Sequence, residues 1–344
     1  RVIVCWKLLS LDHSGGGARG LNRASAQMSV RRNRTGRAAR FTQDNSIIPR
    51  TKNTEKIPRG KFFLFRSVFP RRAVFKSAPM IRILFLGDVV GEPGRAAVLR
   101  AVPTFLKERD VDFVIVNGEN AAGGRGITGR IAIDLLRAGV AVITTGDHVW
   151  DQKDTASFIA TEPRLLRPIN YPEGAPGQGS IVLPTSKGKI AVMNVQGRTF
   201  MQPILDNPFQ AAEAEVERLR EETPVIIVDM HAETTSEKIA MGRFLDGQVS
   251  AVLGTHTHVQ TADQQIFPGG TAFLCDAGMC GPADSCLGRE YHPIIRRFAT
   301  NLPAQFPVAS GPVRLCGAIV EVEESTGRAI SIQRISEMAP SPHH

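Results

Sequence analysis

The chain has 344 residues and a formal net charge of +9, but the charge is unevenly placed along it. Residues 1–79 hold 18 Lys and Arg against 3 Asp and Glu, a formal +15, whereas residues 80–344 hold 24 against 30, a formal −6. The basic excess therefore describes the leader alone, which excludes a nucleic-acid reading of the bulk charge, and no stable nucleic-acid partner is expected.

Residues 1–79 begin at Arg1, contain Ser-Gly-Gly-Gly-Ala-Arg-Gly at 14–20 and show no sustained helical or strand period. Polar, basic, low-complexity sequence cannot bury enough apolar surface to offset the cost of ordering the chain, so this segment reads as a disordered leader. An Arg-rich, acid-poor transit peptide is one account of it. Upstream coding sequence ahead of a true initiator at Met80 is the favoured one, because a buried strand follows Met80 at once. On this reading 80–338 is one folded domain and 339–344 a tail. The patch Phe62-Phe63-Leu64-Phe65 is interrupted by Arg66 and is far too short to span a bilayer; no other stretch approaches that length, so a soluble, cytoplasmic protein is expected.

Strand and helix alternate from Met80 onward. Ile81 to Leu86 is a short apolar run ending in Gly87-Asp88, Arg95 to Arg109 has helical spacing, and Phe113 to Val116 is the next strand. Helix is predicted from Thr128 to Ala138, strand from Val140 to Ile143 and helix from Asp151 to Ala160. After a Pro- and Gly-rich loop at 168–179, strands at about 180–184 and 189–195 form a hairpin around Ser186-Lys187-Gly188. A helix at about 208–221, a strand from Val225 to Val228, a helix at about 234–245 and a strand at 249–253 complete the alternation. The tail, with strands near 271–274, 312–322 and 328–335, reads as antiparallel β. This order implies a layered α/β sandwich with helices outside the sheets.

Five of the apolar runs end in residues that can carry chemistry. They give Asp88, then Asn117, Glu119 and Asn120, then Asp147 and His148, then Asp229 and His231, then His256 and His258. Any one of these is explained by a solvated loop or a helix cap. All five together are not. In His256-Thr257-His258 the two imidazoles can face one centre only if the backbone has left the regular pleat, in which i and i+2 share a face. Oxygen donors mixed with imidazole, without thiolate, favour Fe or Mn, with Zn also compatible. The ligands are too many for one ion, so two divalent or trivalent ions bridged by a carboxylate are expected. A pair about 3.5–4 Å apart can hold a bridging hydroxide and clamp a phosphoryl oxygen, which points to phosphate-ester hydrolysis.

The motifs Gly-Asp-Val-Val-Gly-Glu-Pro-Gly-Arg at 87–95, Asn-Gly-Glu-Asn-Ala-Ala-Gly-Gly at 117–124, Thr-Gly-Asp-His-Val-Trp-Asp at 145–151, Asp-Met-His-Ala-Glu-Thr-Thr-Ser-Glu-Lys at 229–238 and Gly-Thr-His-Thr-His-Val-Gln-Thr-Ala-Asp at 254–263 together resemble the YmdB-like metallophosphoesterases. The resemblance runs in order from Met80 to about Met338 and covers none of the leader. It implies an α/β fold of the layered α-β-β-α metallophosphoesterase type with mixed sheets, and hydrolysis of a small 2',3'-cyclic nucleotide. It also implies a ligand set of Asp88, Glu119, Asn120 and His258 for one metal and Glu119, Asp147, His231 and His256 for the other. His148 would be the general acid that protonates the departing ribose oxygen, a role that an unligated imidazole beside the metals can fill. A homo-oligomer is compatible with the resemblance. A phosphomonoesterase or nuclease with the same centre, and a metal-bound regulatory protein with incidental hydrolysis, are the alternatives.

One position departs from the pattern. The family usually reads Gly-Asn-His where this chain has Gly146-Asp147-His148, which adds a negative charge at the second metal. Elsewhere, Gly123, Gly124 and Gly126 around Arg125 form a loop that could approach a phosphate, and Gln196 and Arg198 follow another strand and are candidates to line the cleft. Gly91 and Gly94 after the first strand do not complete the Gly-x-Gly-x-x-Gly fingerprint of a dinucleotide site, and Asp88 would face a pyrophosphate there. Cys275, Cys280, Cys286 and Cys316 include no Cys-x-x-Cys pair and read as reduced thiols. A structural zinc at 275/280/286 is a lesser alternative, and packing is the role expected of Cys280.

Overall fold

The computed structural model describes residues 79–339, so the expectations of a leader and a tail fall almost wholly outside the described residues. β1 (Met80–Leu86) and the short β2 (Asp88–Val89) lead into α1 (Gly91–Glu108), followed by β3 (Phe113–Asn117), α2 (Gly129–Arg137), β4 (Val142–Thr144) and α3 (Thr155–Ile159). The hairpin of β5 (Ser180–Thr185) and β6 (Gly188–Gln196) precedes α4 (Pro208–Arg220), β7 (Ile226–His231), α5 (Thr235–Phe244) and β8 (Ala251–Thr255). Last come β9 (Gln265–Ile266), β10 (Ala272–Leu274), β11 (Met279–Pro282), α6 (Tyr291–Thr300), β12 (Val313–Glu323) and β13 (Ala329–Met338).

The strands form two mixed sheets. One has the order β2-β11-β12-β1-β3-β4 with β13 paired to β12, and the other the order β5-β6-β7-β8-β10-β9. Side chains that alternate along a strand are shared between two cores. In β1, Ile81, Ile83 and Phe85 enter a core between the sheets, where they meet Ile190 and Val192 of β6, Ile227 of β7 and Leu253 of β8. Leu84 and Leu86 face the other way, onto Ala97, Val98, Ala101, Val102 and Phe105 of α1 and Ile131 and Leu135 of α2. The second sheet repeats the device, with Met193, Val195, Val228 and Met230 packed against Ala212, Val216 and Leu219 of α4 and Met241 of α5. Three cores thus separate four layers, which makes the α-β-β-α sandwich. Each fully buried Leu, Ile or Phe contributes about 1.5–3 kcal/mol of transfer free energy.

Parallel pairing aligns the strand ends that matter. β1, β3 and β4 run parallel in one sheet, and β6, β7 and β8 run parallel in the other. The chemistry-bearing residues all follow carboxyl ends of these strands, where open α/β sheets place their ligands. The expected hairpin is present, closing at Thr185 and Gly188, and β12 and β13 are antiparallel. β12 also inserts beside β1 in mid-sheet, pairing antiparallel from Met80↔Glu323 to Leu86↔Gly317.

Two of the predicted helices differ in extent, and α6 was not predicted. α1 starts at Gly91, ahead of the predicted Arg95, because Pro93 lies in the first turn, where its missing N–H costs no hydrogen bond. α3 is confined to Thr155–Ile159, within the predicted 151–160. The carboxylates of Asp151 and Asp154 are instead engaged by His148, Arg125 and the N–H of Gly129. Among the described residues, no helix is long and apolar enough to cross a membrane.

Candidate metal centre

The end of β8 leaves the pleat as the spacing requires, with His256 at φ 97° and His258 at φ 65°. That break turns both imidazoles toward residues at the ends of β1, β3, β4 and β7. Ligand atoms of Glu119, Asp147, His231 and His256 converge within 4.8 Å of one another. His231 Nε2 lies 3.1 Å from Asp147 Oδ1 and 3.3 Å from Glu119 Oε1, and His256 Nδ1 lies 3.3 Å from Asp147 Oδ1. Gly146 permits this approach, since a Cβ there would stand about 2.1 Å from the His231 ring.

A second group adjoins the first through Glu119. The amide of Asn120 is 3.0 Å from Glu119 Oε1 and 3.2 Å from His258 Nε2. A half-turn of that amide, which costs no change of shape, offers its carbonyl oxygen to the same point. His258 Nε2 is 3.8 Å from Asp88 Oδ1. Asp88 is fully buried, its Oδ2 accepts from the N–H of His256, and its Oδ1 has no hydrogen-bond donor among the described residues.

The far side of each ring fixes its tautomer. Thr255 donates its hydroxyl proton to Asp229 Oδ1, so it must accept from His231 Nδ1 at 2.8 Å. His258 Nδ1 faces the carbonyl of Leu287 at 3.1 Å, which can only accept. His256 Nε2 stands 3.2 Å from Glu233 Oε2. All three neutral rings therefore aim a lone pair inward, at two carboxylates and an orphaned carboxylate oxygen. Burial of such donor-poor clusters is costly unless a cation sits among them. The donor set fits metal ions, and the fit is chemical as well as spatial.

The titration of buried groups agrees. Burial works against charge on His231, yet Glu119, Asp88 and Asp229 hold its pKa above the usual imidazole range, so the cluster favours a positive charge at this point. Asp229, fully buried, is pushed up to about 6 by burial.

His148 is placed beside the cluster rather than in it. Its N–H donates to Glu119 Oε2 at 3.2 Å, and its Nδ1 lies 2.7 Å from Asp151 Oδ2. Arg125 Nε donates to the same Asp151 oxygen at 2.9 Å. Although burial opposes it, His148 and Arg125 lower the Asp151 pKa below the ordinary aspartate value.

The YmdB-like protein family matches residues 84–335. A 2',3'-cyclic-nucleotide 2'-phosphodiesterase of Bacillus subtilis is 48% identical over 255 residues, covering 74% of this chain and 96% of that protein. The chain belongs to the YmdB-like family. A solved protein of Thermus thermophilus aligns at TM-score 0.70 and 40% identity, covering 76% of this chain and 100% of that one. A solved phosphatase of Mycoplasma pneumoniae aligns at TM-score 0.72 and 35% identity, covering 77% and 96%.

In this YmdB-like chain the remaining candidates divide. Arg125 is tied to Asp151 instead of standing free, and Gly124 packs against the Arg289 guanidinium, which donates to the carbonyls of Gly123 and Gly124. Gln196 is buried with its amide on the Pro203 carbonyl, so it supports the loop, while Arg198 is exposed on the rim. Cys275, Cys280 and Cys316 are buried thiols, and Cys280 donates weakly to the Cys316 carbonyl. Burial raises the pKa of each, to about 11 for Cys275. Among the described residues, no cysteine joins a cluster able to hold a metal.

Sequence reasoning missed Glu233, Asp151 and Thr255, and singled out Asp229 at its strand end without giving it a role. Glu233 and Asp151 lie inside the quoted motifs, but nothing in spacing shows which ring nitrogen each would meet. It also missed Lys238, whose ammonium is buried against Asp276 Oδ2 at 2.7 Å. The same Asp276 oxygen accepts from the N–H and hydroxyl of Thr257, between the two loop histidines.

Proposed function

We propose that the protein is a metal-dependent phosphodiesterase that opens the phosphate ring of 2',3'-cyclic nucleotides. The observation that carries this reading is the inward convergence of three tautomer-fixed imidazoles on buried carboxylates, with a carboxylate-held His148 alongside. The Bacillus subtilis relative supports the choice of substrate.

Glu119, Asp147, His231 and His256 would hold one ion, and Asp88, Glu119, Asn120 and His258 the other, with Glu119 shared. Their oxygen and imidazole donors suit Fe or Mn, and Zn is also compatible. Such a pair, when bound, supplies Lewis acidity toward a phosphoryl oxygen and lowers the pKa of water toward about 7.

The chain's own residues handle the proton. Opening a cyclic phosphate expels a ribose alkoxide, which near neutral pH needs an acid. Asp151 takes the hydrogen bond from His148 Nδ1, so Nε2 is the nitrogen that delivers the proton to the departing ribose oxygen. Arg125 donates to the same Asp151 oxygen and keeps the carboxylate ionised. The folded domain of 80–338 would carry all of this chemistry.

The test is turnover of 2',3'-cyclic AMP beside bis-p-nitrophenyl phosphate by the full chain, in Mn-loaded, chelated and His148→Ala samples. Metal-dependent hydrolysis that favours the cyclic nucleotide and falls at least a hundredfold in His148→Ala supports the reading. Activity on the generic diester alone sinks the substrate class and leaves a broader phosphodiesterase. Bound metal without turnover of either substrate favours a regulatory protein.

A further inference from the structure

We infer that Phe200 is the surface on which the nucleobase of the substrate stacks, an assignment that rests on the cyclic-nucleotide reading above. Phe200 is 74% exposed, the most exposed large apolar side chain among the described residues. It is also held at φ 61°, in the left-handed region that disfavours an aromatic residue with a Cβ. Neither property is explained by packing within the described residues. Residues kept in a disfavoured conformation by their surroundings concentrate at ligand sites.

The surroundings do hold it. The Glu237 carboxylate accepts from the N–H groups of both Arg198 and Thr199, at 3.0 and 3.2 Å. Met201 is buried on the other side, and its N–H closes the turn onto the Arg198 carbonyl at 3.4 Å. Phe200 is therefore displayed from a turn clamped at both ends, and core packing is supplied by Met201 instead.

The turn stands on the rim of the metal centre. Gln196 pairs with the ligand candidate His231, and the next N–H, that of Gly197, donates to the His231 carbonyl at 2.9 Å. Phe200 lies three residues further on, so its backbone is at most about 11 Å from Gly197. The clamp is continuous with the centre from the other direction too, because Glu237 lies in the first turn of α5, one turn beyond Glu233, which meets His256. A cyclic nucleotide whose phosphate lies at the metals projects its base outward past the ribose, and a turn within about 11 Å of Gly197 is close enough for Phe200 to meet it. Every nucleobase offers a flat face, so an aromatic ring here gives affinity without strong choice among bases.

The experiment compares kcat and KM of metal-loaded full-length protein on 2',3'-cyclic AMP and on the base-free methyl riboside 2',3'-cyclic phosphate. Stacking one base on an aromatic ring corresponds to roughly a tenfold loss when the ring is removed. Phe200→Ala is expected to raise KM for the nucleotide about tenfold with kcat changed less than twofold. The preference for nucleotide over the base-free substrate falls by the same factor, and Phe200→Trp restores it. Phe200→Gly, which suits the left-handed conformation, guards against a misfolded turn and is expected to match Phe200→Ala. An unchanged preference in both Phe200→Ala and Phe200→Gly overturns the inference, as does a loss of kcat alone or a change of oligomeric state without a change of preference. Wild-type protein that hydrolyses neither substrate sinks the underlying cyclic-nucleotide reading, a result distinct from an unchanged preference.

Discussion

Glu233 Oε2 lies 3.2 Å from His256 Nε2, while the opposite nitrogen of that ring faces Asp147 Oδ1 at 3.3 Å. A carboxylate behind a ligating imidazole fixes its tautomer and raises its basicity. Replacing Glu233 by Gln keeps the shape and removes the charge. The expected outcome is a loss of metal affinity of about 10- to 100-fold. Metal content after equilibration against graded chelator measures it directly, and unchanged retention would refute a role for Glu233 in holding the centre.

Asp151 gives a prediction that separates proton delivery from folding. Its carboxylate meets His148 Nδ1 at 2.7 Å and Arg125 Nε at 2.9 Å. If it orients His148 as an acid, its loss matters only where the leaving group needs a proton. Asp151→Asn is expected to slow cyclic nucleotide opening about 100-fold, the lower end of what general acid catalysis provides. Hydrolysis of bis-p-nitrophenyl phosphate, which expels a stable phenolate, should change far less. Equal losses on the two substrates would show a structural role alone.

The candidate ligands that converge, Glu119, Asp147, His231 and His256, stand out in the sequence because each is local: an apolar run closely followed by a carboxylate or imidazole. What stayed hidden depends on three-dimensional facing. Glu233 and Asp151 acquire meaning only from which nitrogen of His256 or His148 they meet, and Phe200 only from a backbone angle. The helix α6 was overlooked although Tyr291, Ile294, Ile295 and Phe298 stand at the helical spacing i, i+3, i+4 and i+7; of that apolar face only Ile294 is buried in the fold. β11 was hidden, since Met-Cys-Gly-Pro at 279–282 has no strand composition, and it is held by pairing with β2 and β12.

Lys238 and Asp276 form a buried pair under the His256 to His258 loop. Removing one partner of such a pair leaves an uncompensated charge and costs about 3–5 kcal/mol. Lys238→Met should therefore lower unfolding free energy by about that amount in urea titration. The pH dependence has a definite sign. Despite burial, which alone would raise it, the Lys238 charge and hydrogen bond hold the Asp276 pKa below its ordinary value of 3.8. Its contribution to stability is present above that ordinary value and is lost as pH falls through the depressed folded-state value. In Lys238→Met burial acts with less opposition, so acid unfolding should move to higher pH. An acid midpoint that stays in place would show that the pair does not couple folding to protonation.

Asp147 is where this chain departs from the Gly-Asn-His pattern, and its geometry defines what the departure does. Oδ1 lies 3.1 Å from His231 Nε2 and 3.3 Å from His256 Nδ1, so a cation held by both rings would also meet whichever residue stands here. An amide oxygen can occupy the same point, but Asp adds a full negative charge in a site where Glu119 already supplies one. Extra negative charge tightens cation binding and reduces the electrophilicity left for a phosphoryl oxygen. Asp147→Asn is therefore expected to weaken metal retention while keeping or raising turnover at saturating metal, with a changed order of preference among Mn, Fe and Zn. Parallel measurements of metal content and kcat on 2',3'-cyclic AMP across those ions check both halves. Complete loss of bound metal in the Asn variant would defeat the idea, because it would show that the centre depends on the carboxylate itself and not on an oxygen donor at that point.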